Sequence, residues 1–557
     1  MSWFKQLSIE AGFASDLEAT NEARDKLSKY VPESFTLKEL ADGASDCLSE
    51  AGSATLREVR VMRNHLVSVL TCLRLEGRIV HGSSSTDRDT VRELAWNIAK
   101  VIAPVVPREA SPSDNGDSAE TPNQDSLETG QALVQKCWAI SSFGVQALEA
   151  LLKRTDDTVR LDDDVLYTLL VYTDDDQSWA SRETKASARE LLEQQFSVPG
   201  SPTKEQFLTE TLLQHYLRPL FSKSEPSSIT ASGRKAEYTD SAATRAATMP
   251  DESALTKPWK YTDLRAIPAL AWAVREADTQ LIAKHWPLFI PVLLTLVDDP
   301  ANLVRRRGLL ILNDFLAKLP DRTLRDTGLA KVFEDAVFPA LTFLPSLTPE
   351  NESFQLLPPA YGALRSLANK QPAVSKDGIP GGPKKALLDK VLRDGVFMGF
   401  FHAREHVRIV EVLCQQTAAV LSEMGVHAVK HLKDLIPMLS SIMTDPFAPL
   451  APGTLLSAIK ALQAVLANCW PRIPGSPSQD EIINALVLCW LHAAEHDHAD
   501  GDEHHAQIEQ ELLTSFKALA AVLKTASGEN EQATDLASHV APLVAKEPRL
   551  AKLFPPN

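Results

Sequence analysis

The most constraining feature of this sequence is a pair of apolar segments joined by a short acidic turn, within residues 282–320. In the first segment, apolar side chains recur every three or four residues, as on one face of an α-helix. These side chains are Ile282, Trp286, Phe289, Leu293 and Leu296. Pro291 lies inside this segment and is expected to bend the helix. Asp298, Asp299 and Pro300 are then expected to end it.

A second amphipathic segment follows the acidic turn, and Asn302 is its predicted N-cap. Its inner face carries residues at helical spacing, namely Val304, Gly308, Ile311, Phe315 and Leu319. Gly308 has no side chain, so it is expected to let the first helix approach closely. Three consecutive arginines, Arg305, Arg306 and Arg307, are expected to pair with the two aspartates or with the turn below.

A proline-bent helix, an Asp-Asp turn and Val-Arg at the head of a second helix form the pattern of a HEAT repeat. Asp298, Asp299, Arg305 and Gly308 are the predicted structural residues of the repeat turn. One such helix pair buries only one side of itself, so it needs further pairs stacked against it. The same features recur in weaker form, as Val407-Arg408 and Asp445-Pro446, at spacings near fifty residues. The predicted fold is an all-α, HEAT/armadillo-like solenoid of degenerate helix pairs.

Composition narrows the functional classes. Lys and Arg number 57 and Asp and Glu 73, so the formal net charge is −16, which argues against direct binding to nucleic acid. The longest apolar runs are short and interrupted by proline, which argues against a membrane span. The first residues lack the basic and apolar regions of a secretory signal. Six cysteines are scattered without a CxxC pair, so neither a zinc site nor a disulfide framework is favoured. Together these features predict a soluble protein of the cytoplasm or nucleus.

Shifts in composition divide the chain into five predicted regions. Helical patterns in residues 1–103 give way to a polar, acidic stretch at 104–130, which is expected to be disordered. A second helical region covers 131–221, and a polar linker or loop covers 222–257. The C-terminal solenoid is predicted from residue 258 to residue 557.

The strongest candidate for chemistry is a histidine-rich segment at residues 492–505. His492 and His496 are four residues apart, a spacing that can chelate a metal on a helix. Glu495 is misplaced for an HExxH site, and the surrounding acidic residues are typical of a solvated turn. A metal-dependent activity at this segment is therefore the weaker hypothesis, and we expect no bound metal and no cofactor.

Other candidate motifs are weaker still. The glycine-rich residues 378–385 lack the GK[ST] ending of a phosphate loop, and the carboxylate runs 162–164 and 174–176 lack the spacing of a calcium loop. No nucleophile with a credible His and Asp partner is recognisable, so catalysis is not indicated. The remaining prediction is protein recognition by a solenoid surface. Large residues are expected to fill seams between repeats or to anchor a partner; they are Trp259, Tyr261, Trp286, Trp470 and Trp490.

Residues 258–367 carry a more specific signal than their periodicity. The runs PALAWAVREAD, HWPLFIPVLLTLVDDP and VRRRGLLILNDFLAKLP are followed by LRDTGLAKVFEDAVFPALTFLPSLTPE and QLLPPAYGALRSL. This order, with Asp326-Thr327-Gly328-Leu329 and a later Leu344-Pro345, resembles the Tel-two-interacting protein two family, Tti-two. A HEAT protein of another class shares the Asp-Asp and Val-Arg features but not the TGL, VF and LP order.

The resemblance implies a scaffold without catalytic residues or a cofactor. Members of that family join the Tel-two and Tti-one helical-repeat subunits in the TTT complex. This complex works as a co-chaperone with heat-shock protein 90 and the R-two-T-P assembly. Its clients are phosphatidylinositol 3-kinase-related protein kinases, including the TOR and DNA-damage checkpoint kinases. The alternative is a HEAT-repeat adaptor of another class, such as a transport receptor or a phosphatase scaffold, and the partner-facing residues stay open.

Overall fold

A computed structural model describes most of the chain. The described residues are 3–13, 26–48, 56–80, 84–104, 124–154, 159–176, 180–222, 254–372, 382–495, 503–527 and 536–554. They divide into two compact units, one made of the described residues up to Val292 and the other of those from Leu293 onward. Both consist almost entirely of helices, which confirms the prediction of an all-α solenoid.

The first unit stacks its helices in two rows. Its helices are α1 (Trp3–Phe13), α2 (Leu37–Leu48), α3 (Leu56–Arg74), α4 (Ser84–Ile102), α5 (Gln124–Leu152), α6 (Asp163–Val171), α7 (Arg182–Ser197), α8 (204–221), α9 (Pro258–Tyr261) and α10 (Ala266–Glu276). Helices α1, α3, α5 and α7 pack in sequence against one another, and α2, α4, α6 and α10 form the other row. Each row buries an apolar face, as the helical spacing of Leu66, Leu70 and Leu73 in α3 illustrates.

Helix α11 (Thr279–Val297) contains the boundary between the units, which falls after Val292. Pro287 and Pro291 lie inside this helix. By length and composition α11 is apolar enough to cross a membrane, with a mean hydropathy of 1.4, although half of that stretch is buried. The expectation that no apolar stretch reaches this length was wrong, because the prolines do not end the helix. A core helix meets the same criterion, and Phe289, Leu293 and Leu296 are fully buried.

The second unit repeats the same design. Its helices are α12 (Asn302–Lys318), α13 (Asp321–Thr327), α14 (Leu329–Val337), α15 (Glu350–Asn369), α16 (382–403), α17 (Val407–Met424), α18 (Leu432–Met443), α19 (Pro452–Cys469), α20 (Pro477–Glu495), α21 (Glu503–Ser527) and α22 (Leu536–Lys546). Helices α12, α15, α17, α19 and α21 form one continuous row, and α18 packs on α20 beside it.

Hydrogen bonds between neighbouring helices of this row join residues about one repeat apart. Asn313 donates from Nδ2 to the carbonyl of Pro359, 46 residues later, at 2.9 Å. Arg365 on α15 contacts Glu423 on α17 at 2.6 Å, and Gln463 on α19 donates to Glu511 on α21 at 2.8 Å. These separations agree with the predicted repeat near fifty residues.

Several local predictions differ from the structure. Two-residue strands, β1 (Phe35–Thr36) and β2 (Ile79–Val80), pair in parallel although no strand was expected. The last seven residues of the predicted disordered stretch, 124–130, belong to α5, and residues 105–123 lie outside the described residues. The second predicted linker is described only at its ends. Helix α10, which lies within the predicted C-terminal solenoid, packs on α6 and α8 of the first unit.

Helices α8 and α16 each contain a π-helical segment, Phe207–Leu217 and Val391–Phe397. A π-helix bonds each amide to the fifth preceding carbonyl and is rare outside functional or strained positions. In α8 this winding places Phe207, Leu212 and Leu217 in the core and brings Tyr216 to a polar cluster described below.

Candidate functional site

The structure brings no metal-binding group together in the residues it describes, since no set of three or more His, Cys, Asp or Glu side chains converges there. His492 lies near the end of α20, and His505 Nε2 on α21 lies 3.6 Å from Glu509 Oε1. His496 and His498 lie outside the described residues. Of the segment predicted to bind a metal in this hypothesis, residues 492–505, the structure describes only 492–495 and 503–505.

Four cysteines whose side chains the structure describes, Cys72, Cys414, Cys469 and Cys489, are buried and free. Burial raises the pKa of Cys414 and of Cys489 to about 12 and that of Cys469 to about 11. A buried thiol with a raised pKa is a poor nucleophile and a poor metal ligand. These residues serve the apolar core.

The two predicted carboxylate runs take part in ion pairs. Asp163 accepts from Arg160 at 2.9 Å, and Asp164 contacts Arg265 at 3.0 Å. Asp175 accepts from Arg189 at 2.7 Å. Partial burial opposes ionisation of Asp175, but Arg189 outweighs it and holds the pKa of that carboxyl below its usual value. Of the glycine-rich segment, residues 378–381 lie outside the described residues and Gly382 begins α16.

A polar cluster that the sequence did not reveal holds the first unit together around Arg265. The Nε and Nη2 atoms of Arg265 donate to both carboxylate oxygens of Asp263, at 2.8 and 2.9 Å. Its Nη1 atom reaches Thr168 Oγ1 at 3.1 Å and Asp164 Oδ1 at 3.0 Å. A two-pronged contact of this kind fixes both position and orientation of the guanidinium.

Tyr216 completes this cluster from the π segment of α8. Its hydroxyl donates to Asp263 Oδ2 at 2.9 Å, and its ring stacks on Tyr167 with centroids 4.0 Å apart. Burial raises the pKa of Tyr216, and the Asp263 carboxylate raises it further. Burial also opposes the charge on Asp263, but Arg265 and Tyr216 outweigh it, so the pKa of Asp263 is lowered. The cluster fastens α6, α8 and the turn before α10 and has the properties of a structural ion pair.

The predicted repeat-turn residues lie at the junction of α11 and α12. Asp299 is buried, and its Oδ1 atom accepts from the amide of Ala301 at 2.9 Å, which shapes the turn. The N-cap of α12 is Ala301, so the prediction of Asn302 at that position was wrong. Asn302 instead begins the helix and donates from Nδ2 to Glu352 Oε2 at 2.8 Å, which ties this turn to the next helix pair.

Arg305 connects its own turn with the next repeat. Its Nε atom donates to the carbonyl of Val297 at 3.0 Å, which satisfies a free carbonyl at the end of α11. Its guanidinium also lies 4.2 Å from the ring centroid of Phe343 in the following turn. Burial lowers the pKa of Arg305, while the charges of Asp298 and Asp299 oppose this effect. Arg305 thus combines electrostatic attraction to the two aspartates with an aromatic contact that spacing alone does not suggest.

Gly308 lies against the end of α11. A methyl group at this position would come within 2.7 Å of Leu296 Cβ and 2.9 Å of its carbonyl carbon. The close approach expected at Gly308 is therefore present, and it involves backbone atoms that cannot rotate away.

The second Val-Arg pair makes the same kind of connection. Arg408 at the head of α17 donates to Asn351 Oδ1 at 2.6 Å and lies 4.2 Å from the ring centroid of Phe354, both in the preceding pair. Thr454 then donates from Oγ1 to the carbonyl of Val407 at 3.1 Å. Successive turns along this side of the second unit are thus in direct contact.

We call this side the turn edge, defined by residues 298–305, 343–352, 401–408 and 445–454. It carries exposed apolar side chains that sequence reasoning missed. They are Leu303, Leu347, Phe401, Val407, Phe447 and Leu450. Their only signal in the sequence is their place in turns between apolar helices, where polar residues are usual.

The predicted large residues divide between core and surface. Trp259 is fully buried and stacks on Phe221 at 4.9 Å, and buried Trp490 donates from Nε1 to the carbonyl of Arg549 at 3.1 Å. Trp286 is half-buried, whereas Tyr261 and Trp470 are exposed. Trp259 and Trp490 therefore belong to the core, and Tyr261 and Trp470 to the surface.

Comparison with known protein families matches this chain to one of them. The matched residues, 165–450, are slightly more than half of the chain. They include the Arg265 cluster except Asp164 and the turn edge except residues 451–454. The resemblance predicted for residues 258–367 falls inside the matched range. The matching family is a scaffold type of protein whose members take part in the TTT complex. This protein is a member of the Tti2 family.

Proposed function

We propose that this protein is a non-catalytic scaffold subunit of the TTT complex that supports the maturation of phosphatidylinositol 3-kinase-related protein kinases. The observation that carries the proposal is the family match over residues 165–450. The proposed partners are Tel-two-type and Tti-one-type helical-repeat subunits. The heat-shock protein 90 system, the R-two-T-P assembly and the TOR and DNA-damage checkpoint kinases are the proposed wider contacts, in cytoplasm and nucleus.

The proposed mechanism is surface complementarity. A row of stacked helices such as α12, α15, α17, α19 and α21 presents side chains at fixed intervals on a relatively rigid support. Ion pairs and aromatic contacts between successive repeats, such as Arg305 on Phe343, hold those intervals. A support of this kind recognises a second large protein without moving a proton or a bond.

Affinity purification of the tagged full-length chain from its own cells, followed by mass spectrometry, tests this function. We expect two large helical-repeat proteins at stoichiometric yield and kinases of the TOR class at lower yield. An unrelated helical-repeat protein with the same tag is the control for nonspecific capture. Recovery of nuclear transport factors or phosphatase subunits in place of these partners would instead support an adaptor of another class.

Depletion of the protein provides a second test at the level of the clients. We expect the amounts of the TOR and checkpoint kinases to fall after depletion, and to recover when the full chain is supplied again. If the kinase amounts stay unchanged although the two helical-repeat partners are recovered with the protein, the proposed role in kinase maturation is wrong and only assembly of the complex is supported.

A further inference from the structure

The turn edge of the second unit is an unusually apolar surface. Leu347 is 90% exposed and Phe401 and Phe447 are each 71% exposed. With about 150–250 Å² for an aromatic side chain, Phe401 and Phe447 together expose roughly 200–350 Å², to which the four aliphatic side chains of the edge add. The largest apolar patch on an ordinary monomer is about 300–600 Å², and each side of a stable interface contributes about 800 Å². The edge is therefore comparable with the largest apolar patches of monomeric proteins, which are often interaction sites.

Contacts between neighbouring turns make this surface continuous. Asn302 bonds to Glu352, and His406 Nδ1 lies 3.2 Å from Glu350 Oε2. Arg408 bonds to Asn351, and Thr454 bonds to the carbonyl of Val407. Each exposed apolar side chain thus lies on a turn that touches the next one, in the order Leu303, Leu347, Phe401 and Phe447.

The spacing of the turns indicates which kind of partner segment fits along the edge. Packed helices lie about 8–10 Å apart, so equivalent turns recur at about that interval along the edge. Residues seven apart on one face of an α-helix are about 10.5 Å apart. One straight helix lying along the edge therefore meets a turn with every seventh residue. Four turns correspond to a helix of about 20 residues.

The charged residues of the turn edge indicate which side chains should flank the apolar stripe of a helix bound there. Asp298, Glu405 and Asp445 are exposed beside the apolar side chains, and the whole chain carries a net charge of −16. Of the basic residues on the edge, Arg305 is partly buried on Phe343, whereas Arg404 and Arg408 of the third turn are exposed. The exposed charges of the edge are thus three carboxylates and two arginines. An occupant with lysine or arginine beside its apolar stripe complements this rim.

We propose that the turn edge is the docking surface for one amphipathic α-helix from one of the two helical-repeat partners, with an apolar residue at every seventh position and basic residues beside that stripe. This proposal rests on the proposed function, because it assumes that such a partner exists, and it assigns the surface that holds it. Phe401 and Phe447 are the central anchors, since aromatic side chains dominate binding energy at interfaces.

A pair of matched double variants of the full-length chain tests the surface. In the first, Phe401→Asp and Phe447→Asp place charge on the turn edge. In the control, Val426→Asp and Trp470→Asp place the same charge on exposed apolar residues that follow α17 and α19, at the opposite ends of those helices. We expect the first to reduce recovery of the helical-repeat partner at least tenfold and the control to stay within twofold of the wild type. Both should unfold within about 2 °C of the wild type, because all four residues are exposed.

The outcomes separate the two proposals. If the wild type recovers no helical-repeat protein, the proposed function fails and the docking surface fails with it. If the wild type and the turn-edge variant recover the partner equally, the docking surface alone is wrong. Equal loss in both double variants would also contradict it, since the effect would not be specific to the edge.

Crosslinking identifies the occupant. A photo-reactive phenylalanine analogue is placed at Leu347, Phe401 or Phe447 in the full-length chain, with Trp470 as the control position. We expect crosslinks from the three edge positions to a single partner helix, in order and about seven residues apart. Crosslinks to several separate partner segments, or to a second copy of this chain, would overturn the proposal of a single docked helix.

Discussion

At the scale of single residues, Gly308 shows how closely α11 and α12 approach. An added methyl group lies 2.7 Å from Leu296 Cβ, and the backbone of α11 cannot yield as a flexible side chain does. We expect Gly308→Ala to lower the free energy of unfolding by about 1–2 kcal/mol, because overpacking outweighs the gain in helix propensity. Urea denaturation of the purified chain measures this change.

Gly77 supplies the control for that substitution. No atom lies within 4 Å of a methyl group built at Gly77, so Gly77→Ala has no steric cost. It should leave the free energy of unfolding within about 0.5 kcal/mol of the wild type. A neutral or stabilising Gly308→Ala would show that the two helices separate readily and that the glycine is not needed for their approach.

Asp263 gives a prediction for pH. Its pKa is lowered below the model-peptide value of 3.8, despite burial, because Arg265 and Tyr216 bind its charged form. As pH falls, the unfolded chain therefore binds a proton at this carboxyl before the folded chain does. The stabilisation that ionised Asp263 provides is complete above pH 3.8 and is lost as pH falls through the lower pKa of the folded chain. At pH 7, Asp263→Asn should cost about 2 kcal/mol. The difference from the wild type should shrink below about pH 4, as urea titrations at several pH values would show.

A cost of Asp263→Asn that stays constant from pH 7 to pH 3 would contradict this account. Asp175 is a useful comparison, because its pKa is also lowered but its carboxylate is largely exposed. Asp175→Asn should therefore have a much smaller effect at every pH, since solvent screens its pairing with Arg189.

At the scale of secondary structure elements, the start of α12 depends on a buried carboxylate. Asp299 accepts from the amide of Ala301, one of the donors that a helix start leaves unsatisfied, whereas neighbouring Asp298 is exposed. Asp299→Ala should destabilise the protein by about 1–2 kcal/mol, as loss of a cap does. Asp298→Ala should have at most about half that effect, because an exposed charge near Arg305 contributes little. Equal effects in thermal unfolding would show that charge, and not turn geometry, is what both residues supply.

Helical periodicity predicted most elements because each apolar stripe has to face a neighbouring helix. The helix pair predicted within residues 282–320 corresponds to α11 (Thr279–Val297) and α12 (Asn302–Lys318). The π segments were missed, since an apolar stripe does not distinguish bonding to the fifth preceding residue from bonding to the fourth. Asn302 was assigned to the cap because local spacing favours it, but its amide instead bonds to Glu352, 50 residues away.

The candidate site was less accessible to sequence reasoning than the fold. Arg265 contacts Thr168, 97 residues earlier, and Tyr216 reaches Asp263 across 47 residues, so no local pattern marks the cluster. Exposure of Leu347 and Phe447 depends on which residues the neighbouring turns bring near them, and a single turn does not contain that information. The Val-Arg and Asp-Asp features were recognisable because their residues are adjacent in the sequence, although Arg305 and Arg408 also contact neighbouring repeats.

At the scale of the whole molecule, stacked repeats communicate mainly with their nearest neighbours. In the second unit α19 packs on α17 and α21, whereas the helices of the first unit have their own core and their own polar cluster around Arg265. A defect in one repeat should therefore spread to adjacent repeats and diminish beyond them. This behaviour would let a partner bind one part of the chain without reorganising the rest.

Leu462→Ala in α19 tests that behaviour. Leu462 is buried, so its truncation should cost about 2–5 kcal/mol and leave a cavity in the row of helices. Amide hydrogen exchange should accelerate in α17, α19 and α21 and stay unchanged in α2 to α5, because nearest-neighbour packing limits the propagation of the defect. Lys460→Ala, an exposed position on the same helix, should leave exchange unchanged throughout. Equal acceleration in both units would mean that the chain opens as one cooperative body, and partner binding at the turn edge would then stabilise the first unit as well.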